Sequence, residues 1–365
     1  SGQVKAGLFE FYTHDCFFNY DSFNLTMPDI DSVSFYVRLD SLNDEGMQRL
    51  KKVKSVIEDL RGYIIIEEPN NKSAAIKHPH YPMFVCESNA FVYYDDSFIQ
   101  NGVYDRETFY YELDPFMIDS LDNFTTDGIQ FKGYLESAGI FPVIDQDLVV
   151  MPDYSLGFST TTPTEGSPLY GGLATFEDTI TLNAKGFKGD GVMQFLNSTS
   201  VSEDFTFYPD STRALAESFV LREAEGAIEY PQIEGFQVDE TLLPDTGILV
   251  LENTIDPFNV FANESEFDGT LYLGEGVVDG SGFYIFENAS IASHQFHLKH
   301  HEIAADTSYF CLYTDSTRAD TAFLASEYRS KVDFQDRLGK FLSQGENSLL
   351  EFPFNQYVCT MDELD

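Results

Sequence analysis

The sequence predicts an all-β protein, an elongated β-repeat of the solenoid, open-groove or jelly-roll-like kind, with one inserted helix near residues 43–61. Three observations predict this class. Apolar and aromatic residues alternate with polar ones over short stretches bounded by turn-forming residues. A 46-residue segment recurs 91 positions later without a gap. The 365 residues include 34 Phe and 21 Tyr, which are enough bulky side chains to fill a large β core.

The internal repeat is the most informative of these features. Residues 176–221 align with 267–312, with twelve identities in 46 positions. The identical residues are mainly Gly, aromatic and aliphatic, which a repeated turn and a repeated core layer require. The apolar centres of each copy lie about 13 residues apart, which suits short strands joined by turns. The positions expected to face inward, and to line a groove if the sheet stays open, are Leu182, Phe195, Phe205, Phe219, Leu273, Phe286, Phe296 and Phe310.

The single predicted helix rests on a stripe of apolar residues with a spacing of three to four. The stripe consists of Met47, Leu50, Val53, Ile57 and Leu60. Ser41 and Asp44 resemble a capping pair, and Gly62 stands where a terminating glycine is common. The segment also carries the densest basic patch of the chain. We interpret that patch as a basic face that balances the charge of acidic strands. The alternative is a docking surface for an acidic partner.

Composition divides the chain into five segments. They are an N-terminal β-rich region with the inserted helix (1–142), a Pro/Gly-rich connection (143–175), two β-repeat copies (176–266 and 267–330) and the start of a further β unit (331–365). The last segment echoes the first, since Gly7 and Phe9 match Gly339 and Phe341. We therefore expect the chain to be a fragment of a longer tandem protein and to contact other segments of that protein.

The charge of the chain excludes several classes of function. It has 21 Lys and Arg against 61 Asp and Glu, a formal net charge of −40. Nucleic-acid binding needs concentrated positive charge, so no nucleic-acid partner is expected. No stretch approaches the ~18–20 apolar residues of a membrane helix, so no transmembrane segment is predicted in this fragment. The acidity, together with tripeptides such as Asp31-Ser32-Val33 that resemble glycosylation acceptors of exported bacterial proteins, favours the periplasm, the outer-membrane surface or secretion.

Candidate chemistry is sparse in the sequence. No nucleophile, phosphate-loop or zinc-protease motif occurs, so no catalytic and no cofactor-binding residue is predicted. The only metal-ligand candidates are His294, His297, His300 and His301, and we interpret their segment as a solvated polar strand. Calcium is a possible cofactor because carboxylates are abundant. The four cysteines, Cys16, Cys86, Cys311 and Cys359, are expected to be buried in strands, with a Cys16–Cys86 or Cys311–Cys359 disulfide left open.

Two resemblances follow from longer phrases of the sequence. The stretches 91–116 (FVYYDDSFIQNGVYDRETFYYELDPF), 128–142 (GIQFKGYLESAGIFP) and 186–191 (GFKGDG) look like long, uncharacterised acidic proteins of Gram-negative envelopes, a likeness that implies no activity. The Gly-punctuated strands of the repeats, with Ala305-Asp306-Thr307, are similar to the β-groove repeats of lipid-transport bridges of the OstA/LptA and AsmA/TamB types. That likeness implies an open, twisted β-sheet groove that holds acyl chains.

The predicted function is therefore non-catalytic: a structural or lipid-groove segment of a large exported cell-envelope protein, with lipids or envelope proteins as possible partners. The lipid version predicts that the inward residues line a continuous open channel. The structural version predicts that they interdigitate. Two alternatives stay open, a carbohydrate-binding or carbohydrate-processing β-solenoid and a calcium-dependent surface adhesin.

Overall fold

A computed structural model describes residues 2–42, 46–123, 125 and 129–365. Within these residues there is no α-helix, and the helical turns are short 3₁₀ segments such as Gln100–Gly102 and Tyr170–Gly172. The rest of the regular structure consists of β-strands, so the predicted all-β class is confirmed.

The strands are numbered in chain order. The first fifteen are β1 (Gly2–Ala6), β2 (Phe9–Thr13), β3 (Phe17–Asn19), β4 (Asn24–Leu42), β5 (Gln48–Lys52), β6 (Ile57–Ile65), β7 (Met83–Cys86), β8 (Ala90–Tyr93), β9 (Phe109–Leu113), β10 (Met117–Ile118), β11 (Gln130–Phe131), β12 (Gly133–Ser137), β13 (Ile144–Asp145), β14 (Leu148–Val150) and β15 (Leu156–Thr161).

Seventeen strands follow. They are β16 (Ser167–Leu169), β17 (Ala174–Asn183), β18 (Gly186–Phe195), β19 (Ser198–Phe207), β20 (Thr212–Leu221), β21 (Ile233–Leu243), β22 (Ile248–Asn253), β23 (Phe258–Val260), β24 (Ser265–Gly274), β25 (Val277–Phe286), β26 (Ala289–Leu298), β27 (Glu302–Tyr313), β28 (Thr321–Asp333), β29 (Leu338–Ser343), β30 (Leu349–Phe352), β31 (Tyr357–Cys359) and β32 (Glu363–Leu364). The segment 143–175 therefore contains several short strands.

The chain forms two compact units, and β17 and β18 contribute residues to both. Unit 1 comprises residues 1–162 and 179–188, and unit 2 comprises residues 163–178 and 189–365. In unit 1 a twelve-stranded sheet has the order β1-β2-β4-β6-β8-β9-β12-β13, with β3, β5, β7 and β10 attached beside this path. In unit 2 the strands from β18 to β32 follow one another across the sheet in sequence order, which makes a long meander with additional pairings such as β21–β23, β22–β24 and β28–β30.

Phenylalanine rings fill the core of unit 1. Phe9 on β2 lies opposite Phe35 on β4, and their ring centroids are 5.1 Å apart. Phe11, two residues further along β2, packs on Phe84 of β7 at 4.8 Å. All four side chains are buried, because residues i and i+2 of a strand share one face. The alternation seen in the sequence thus becomes a continuous aromatic layer.

Strand positions and contacts recur at a spacing of 91 residues. The strands β17, β18 and β19 begin and end 91 residues before β24, β25 and β26. The backbone N–H of Arg222 donates to the carbonyl of Asn197 at 3.2 Å, and that of Tyr313 donates to Asn288 at 2.8 Å. These bonds extend the β19–β20 and β26–β27 ladders by one pair at equivalent ends.

Glycine beneath phenylalanine is the packing contact that recurs at the same spacing. A Cβ on Gly189 would lie 2.6 Å from the Phe176 ring, and one on Gly280 would lie 2.9 Å from the Phe267 ring. Each ring then meets a second one edge-on: Phe176 meets Phe205 at 5.4 Å and 81°, and Phe267 meets Phe296 at 5.8 Å and 86°. Edge-on geometry is a favoured arrangement of two aromatic rings.

The helix predicted over 43–61 is wrong. Residues 43–45, including Asp44, lie outside the described residues, and the remainder forms β5 and β6. Ile57 and Leu60 are both buried although they lie three residues apart, because Asp59 between them has a φ of 61° and leaves the regular strand path. This irregularity reproduces the three-residue spacing of a helix.

Other residues assigned to the helix also have strand roles. Met47 and Leu50 are 57% and 50% exposed, so the apolar stripe does not face one core. Gly62 is an interior residue of β6, where a Cβ would lie 2.0 Å from the carbonyl oxygen of Val85. The basic patch lies partly on β5, a fully exposed strand that pairs with β4.

The same irregularity occurs in unit 2. Gln237 has a φ of 51°, and the buried residues around it, Gly235 and Val238, are again three apart. Glu327, with a φ of 59°, lies in the same way before buried Tyr328. A left-handed residue therefore resets which face of a strand points inward.

We expect Gly282→Ala to lower the free energy of unfolding by about 1–3 kcal/mol. Gly282 has a φ of 156°, and a Cβ there would lie 2.2 Å from the carbonyl oxygen of Asp268. Urea unfolding of both variants measures the effect, with Gly274→Ala as the matched control. The nearest atom to a Cβ at Gly274 is 3.9 Å away, so the control should match the wild type. Equal midpoints for the two variants would contradict this account of Gly282.

Substitutions at Gln237 should test the left-handed irregularity itself. A β-branched side chain is strained at positive φ, so Gln237→Val should lower the free energy of unfolding by about 1–2 kcal/mol. Glycine adopts this φ freely, so Gln237→Gly should be more stable than Gln237→Val by the same margin. Thermal and urea unfolding would measure the difference, and a Val variant as stable as the Gly variant would be inconsistent with the strain.

Candidate functional site

Unit 2 contains an apolar cavity of about 680 Å³, which we call the phenylalanine cavity. Six rings from the strands β25 to β30 and their connections line it. They are Phe286, Phe310, Phe323, Phe334, Phe341 and Phe352. Buried Val332 and Leu350 also line it, together with Leu338, Met361 and Leu364. A volume of this size falls within the ~300–1,000 Å³ of small-molecule sites.

Strand register explains the position of the rings. Phe310 on β27 lies opposite Ala325 on β28, so a large side chain faces a small one and does not close the space above it. Phe310 contacts Phe341 with ring centroids 4.6 Å apart, and Phe286 contacts Phe334 at 5.5 Å. Phe286, Phe323, Phe334 and Phe352 are only half-buried, so part of the apolar lining is open to solvent.

Acidic side chains dominate the edge of the phenylalanine cavity. Glu264, Glu287, Asp333 and Asp365 line it with a single cation, Arg337. One positive and four negative side chains give the lining a formal charge of 1 − 4 = −3. All of these residues except half-buried Asp333 are exposed. The site therefore combines an apolar interior with a negative entrance.

The eight residues predicted to face inward fall into two groups. Six are almost completely buried: Leu182, Phe195, Phe205, Phe219, Leu273 and Phe296. Phe195 also lines a second cavity of about 380 Å³ together with Leu196, Tyr272 and Val277. Phe286 and Phe310 line the phenylalanine cavity. Sequence reasoning did not single out the rings that surround them, Phe323, Phe334, Phe341 and Phe352, although Phe323, Phe341 and Phe352 each stand in a strand.

The four histidines do not meet at one point. His294 is exposed, and His297 contacts the Asp279 carboxylate, with Nδ1 and Oδ1 2.7 Å apart. His300 pairs with Glu223 at 3.3 Å, and its ring centroid lies 3.9 Å from that of His301. Across the described ranges, no group of three or more His, Cys, Asp or Glu side chains is arranged to hold a metal ion.

The cysteines are all free thiols. Cys86 is buried, and burial raises the pKa of its thiol. Cys311 and Cys359 are half-buried, whereas Cys16 lies exposed between β2 and β3. The expectation of four buried strand cysteines is therefore wrong for Cys16, because its apolar neighbours Phe17 and Phe18 are themselves exposed.

A charged cluster in unit 1 was not identified from the sequence. Arg106 donates to Asp95 at 2.7 Å and to Glu58 at 3.5 Å, and its guanidinium lies 4.3 Å from the centroid of the Tyr93 ring. Partial burial raises the pKa of Glu58. Burial and the neighbouring Asp59 carboxylate raise the pKa of Tyr93 to about 12. The residues come from different strands and loops.

Glu240 is a buried carboxyl within unit 2. It is 1% exposed, and Ser200 Oγ donates to its Oε2 at 2.6 Å. Its Oε1 has no hydrogen-bond partner among the residues that the structure describes. Burial raises the pKa of this carboxyl from 4.5 to about 8, and the bond from Ser200 offsets part of the rise. Burial therefore favours the protonated form of Glu240 in the folded chain.

Comparison with known proteins yields no match to a family model, to a curated protein or to a solved structure. In the part of the chain that the structure describes, no helix has the length and hydropathy needed to cross a bilayer.

We expect stability to fall as the pH rises from about 4.5 to about 8, because of Glu240. The unfolded chain loses this proton near 4.5 and the folded chain near 8, so the contribution is complete below 4.5 and declines by about 1.4 kcal/mol per pH unit above it. Glu240→Gln should remove this part of the slope. Urea midpoints between pH 5 and 8 measure it.

Ser200→Ala provides the companion variant for this experiment. It removes the hydroxyl that donates to Glu240. The carboxyl then loses its only described partner, so the variant should unfold more easily, and most strongly at pH 8. A Glu240→Gln protein with the same slope as the wild type would show that this carboxyl does not govern the pH dependence.

Proposed function

We propose that the chain is a non-catalytic structural scaffold in which one antiparallel β unit is built twice, as a segment of an exported cell-envelope protein. One observation carries the structural role: the residues that recur at a spacing of 91 make core and strand-ladder contacts. Gly189 and Gly280 leave room for aromatic rings in the same way, and the hydrogen bonds to Asn197 and Asn288 extend equivalent strand ladders. A repeated reactive site would place repeated polar side chains together instead.

Burial favours the structural version over a continuous lipid groove. Phe205, Phe219, Leu273 and Phe296 interdigitate within the core and are each 0% exposed. A continuous channel would leave these side chains open along the repeats. Open apolar space is concentrated around Phe286 and Phe310, so any lipid contact is expected there.

The proposal includes a location in the cell envelope or outside the cell. It draws support from the net charge of −40, which opposes binding to nucleic acid, and from the glycosylation-like tripeptides. Covalent sugar at Asp31-Ser32-Val33, detected by mass spectrometry on the protein from its native source, would support export. Half-exposed Ser32 lies on β4.

The second candidate is carbohydrate processing at the Arg106 cluster, because Glu58 and Asp95 flank an aromatic ring there. Sugar stacking needs an open ring face, however, and the guanidinium covers one face of Tyr93. The same guanidinium engages both carboxylates. Ion pairing thus explains the cluster without a substrate.

A polysaccharide panel with a reducing-end assay distinguishes the two functions. The scaffold proposal expects no release above background from the wild type or from Arg106→Ala, and only a small change in melting temperature, because exposed ion pairs contribute about 0–1 kcal/mol. Turnover by the wild type that Arg106→Ala abolishes would overturn the scaffold proposal.

Calcium provides a further arm of the same experiment. Melting in calcium and in chelator should coincide within about 1 °C if the fold does not depend on the ion. A rise of several degrees in melting temperature in calcium would favour the adhesin alternative instead.

Replacement of 267–312 by 176–221 tests the repeat directly, and it should preserve a cooperative β-sheet unfolding transition.

A further inference from the structure

We infer that the phenylalanine cavity binds the alkyl chain of a single-chain amphiphile with a cationic head, such as an alkylammonium. This goes beyond the scaffold role, since it assigns a ligand to one location in unit 2. Three observations carry it: an apolar space of about 680 Å³, six aromatic rings around it, and an entrance dominated by carboxylates.

The interior selects a hydrocarbon chain. Its lining is formed by Phe rings together with Val332, Leu350 and Leu364, none of which has a side-chain hydrogen-bonding group. A polar ligand would lose its hydration there without a replacement partner. An alkyl chain gains instead, because apolar surface leaves water. Half-buried Phe323 and Phe352 leave the space open for entry.

The entrance selects the charge of the head. Glu264 and Glu287 are exposed and Asp333 is half-buried in the lining, and Arg337 is the single cation there. The chain as a whole carries a net charge of −40, so an anionic head would meet repulsion at long and short range. A quaternary ammonium meets carboxylates and aromatic faces, both of which attract it. A fatty acid anion is therefore the wrong ligand for this site.

The direct test is calorimetric titration of the full chain with dodecyltrimethylammonium below its micellar concentration, with native mass spectrometry for stoichiometry. We expect one saturable site. Dodecyl sulfate, with the same chain and the opposite charge, should bind at least tenfold more weakly. Tetramethylammonium, the head alone, should not bind detectably. Equal binding of the two dodecyl ligands, or binding of the head alone, would overturn the inference.

Variants of the lining locate the site. Phe352→Asn should weaken dodecyltrimethylammonium binding at least tenfold, because a polar amide replaces a wall of the cavity. Leu338→Asn should weaken it several-fold, and since Leu338 is 65% exposed this variant is expected to fold normally. Phe283→Asn is the matched control, since Phe283 is 57% exposed and does not line the cavity. Equal losses in all three would assign the binding to the general surface.

Charge variants separate the contribution of the cationic head to binding from that of the alkyl chain. The double variant Glu264→Gln/Glu287→Gln should weaken dodecyltrimethylammonium several-fold and leave uncharged dodecyl maltoside unchanged. The control Glu217→Gln/Glu252→Gln changes the net charge by the same amount at exposed positions that do not line the cavity. It should change the binding of neither ligand. Equal weakening by both doubles would reduce the effect to net charge and overturn the assigned entrance.

Native mass spectrometry also tests a different occupant, a second copy of the chain. We expect a monomer whose mass increases by one ligand. A dimer that Leu338→Asn dissociates, with no ligand bound to the wild type, would replace the amphiphile by a protein interface and overturn the inference. Unfolding of the scaffold would be visible separately as loss of the β-sheet circular dichroism signal.

Discussion

The packing of a phenylalanine ring against a glycine on the next strand is the constraint on which the rest of unit 2 depends. Gly189 and Gly280 leave room for the rings of Phe176 and Phe267, and those rings then take up edge-on contacts with the next strands. Any larger residue would push ring and strand apart. Because the layer of rings forms the core, the absence of a side chain at these two glycines determines where the aromatic side chains can be.

The sequence predicted the strands well, but it did not predict the irregularities within them. Alternation correctly predicts the inward positions of β17 to β20, because a regular strand has a period of two. In the helix predicted over 43–61, the three-residue spacing of Ile57 and Leu60 arises because Asp59 takes a left-handed conformation, and Met47 and Leu50 are exposed. A single backbone angle changes the apparent period from two to three, and side-chain type alone does not reveal that angle.

The candidate site was harder to predict from the sequence than the fold. Which residues face inward follows from local pattern, but where space is left depends on pairs such as Phe310 and Ala325 that register brings together. Glu240 did carry a local signal, since it stands between Val238 and Leu242 at an inward position of β21. The Arg106 cluster has no such signal, because its members lie on separate elements far apart in sequence.

The exposed strand β5 has a consequence for behaviour at high concentration. Its sequence, QRLKK, places Arg49, Lys51 and Lys52 on a strand whose described pairing is with β4 alone. A second molecule that tried to extend the sheet here would set like charges against each other in a fibril-like stack. Like-charge repulsion therefore disfavours edge-to-edge pairing of two copies of the chain through β5.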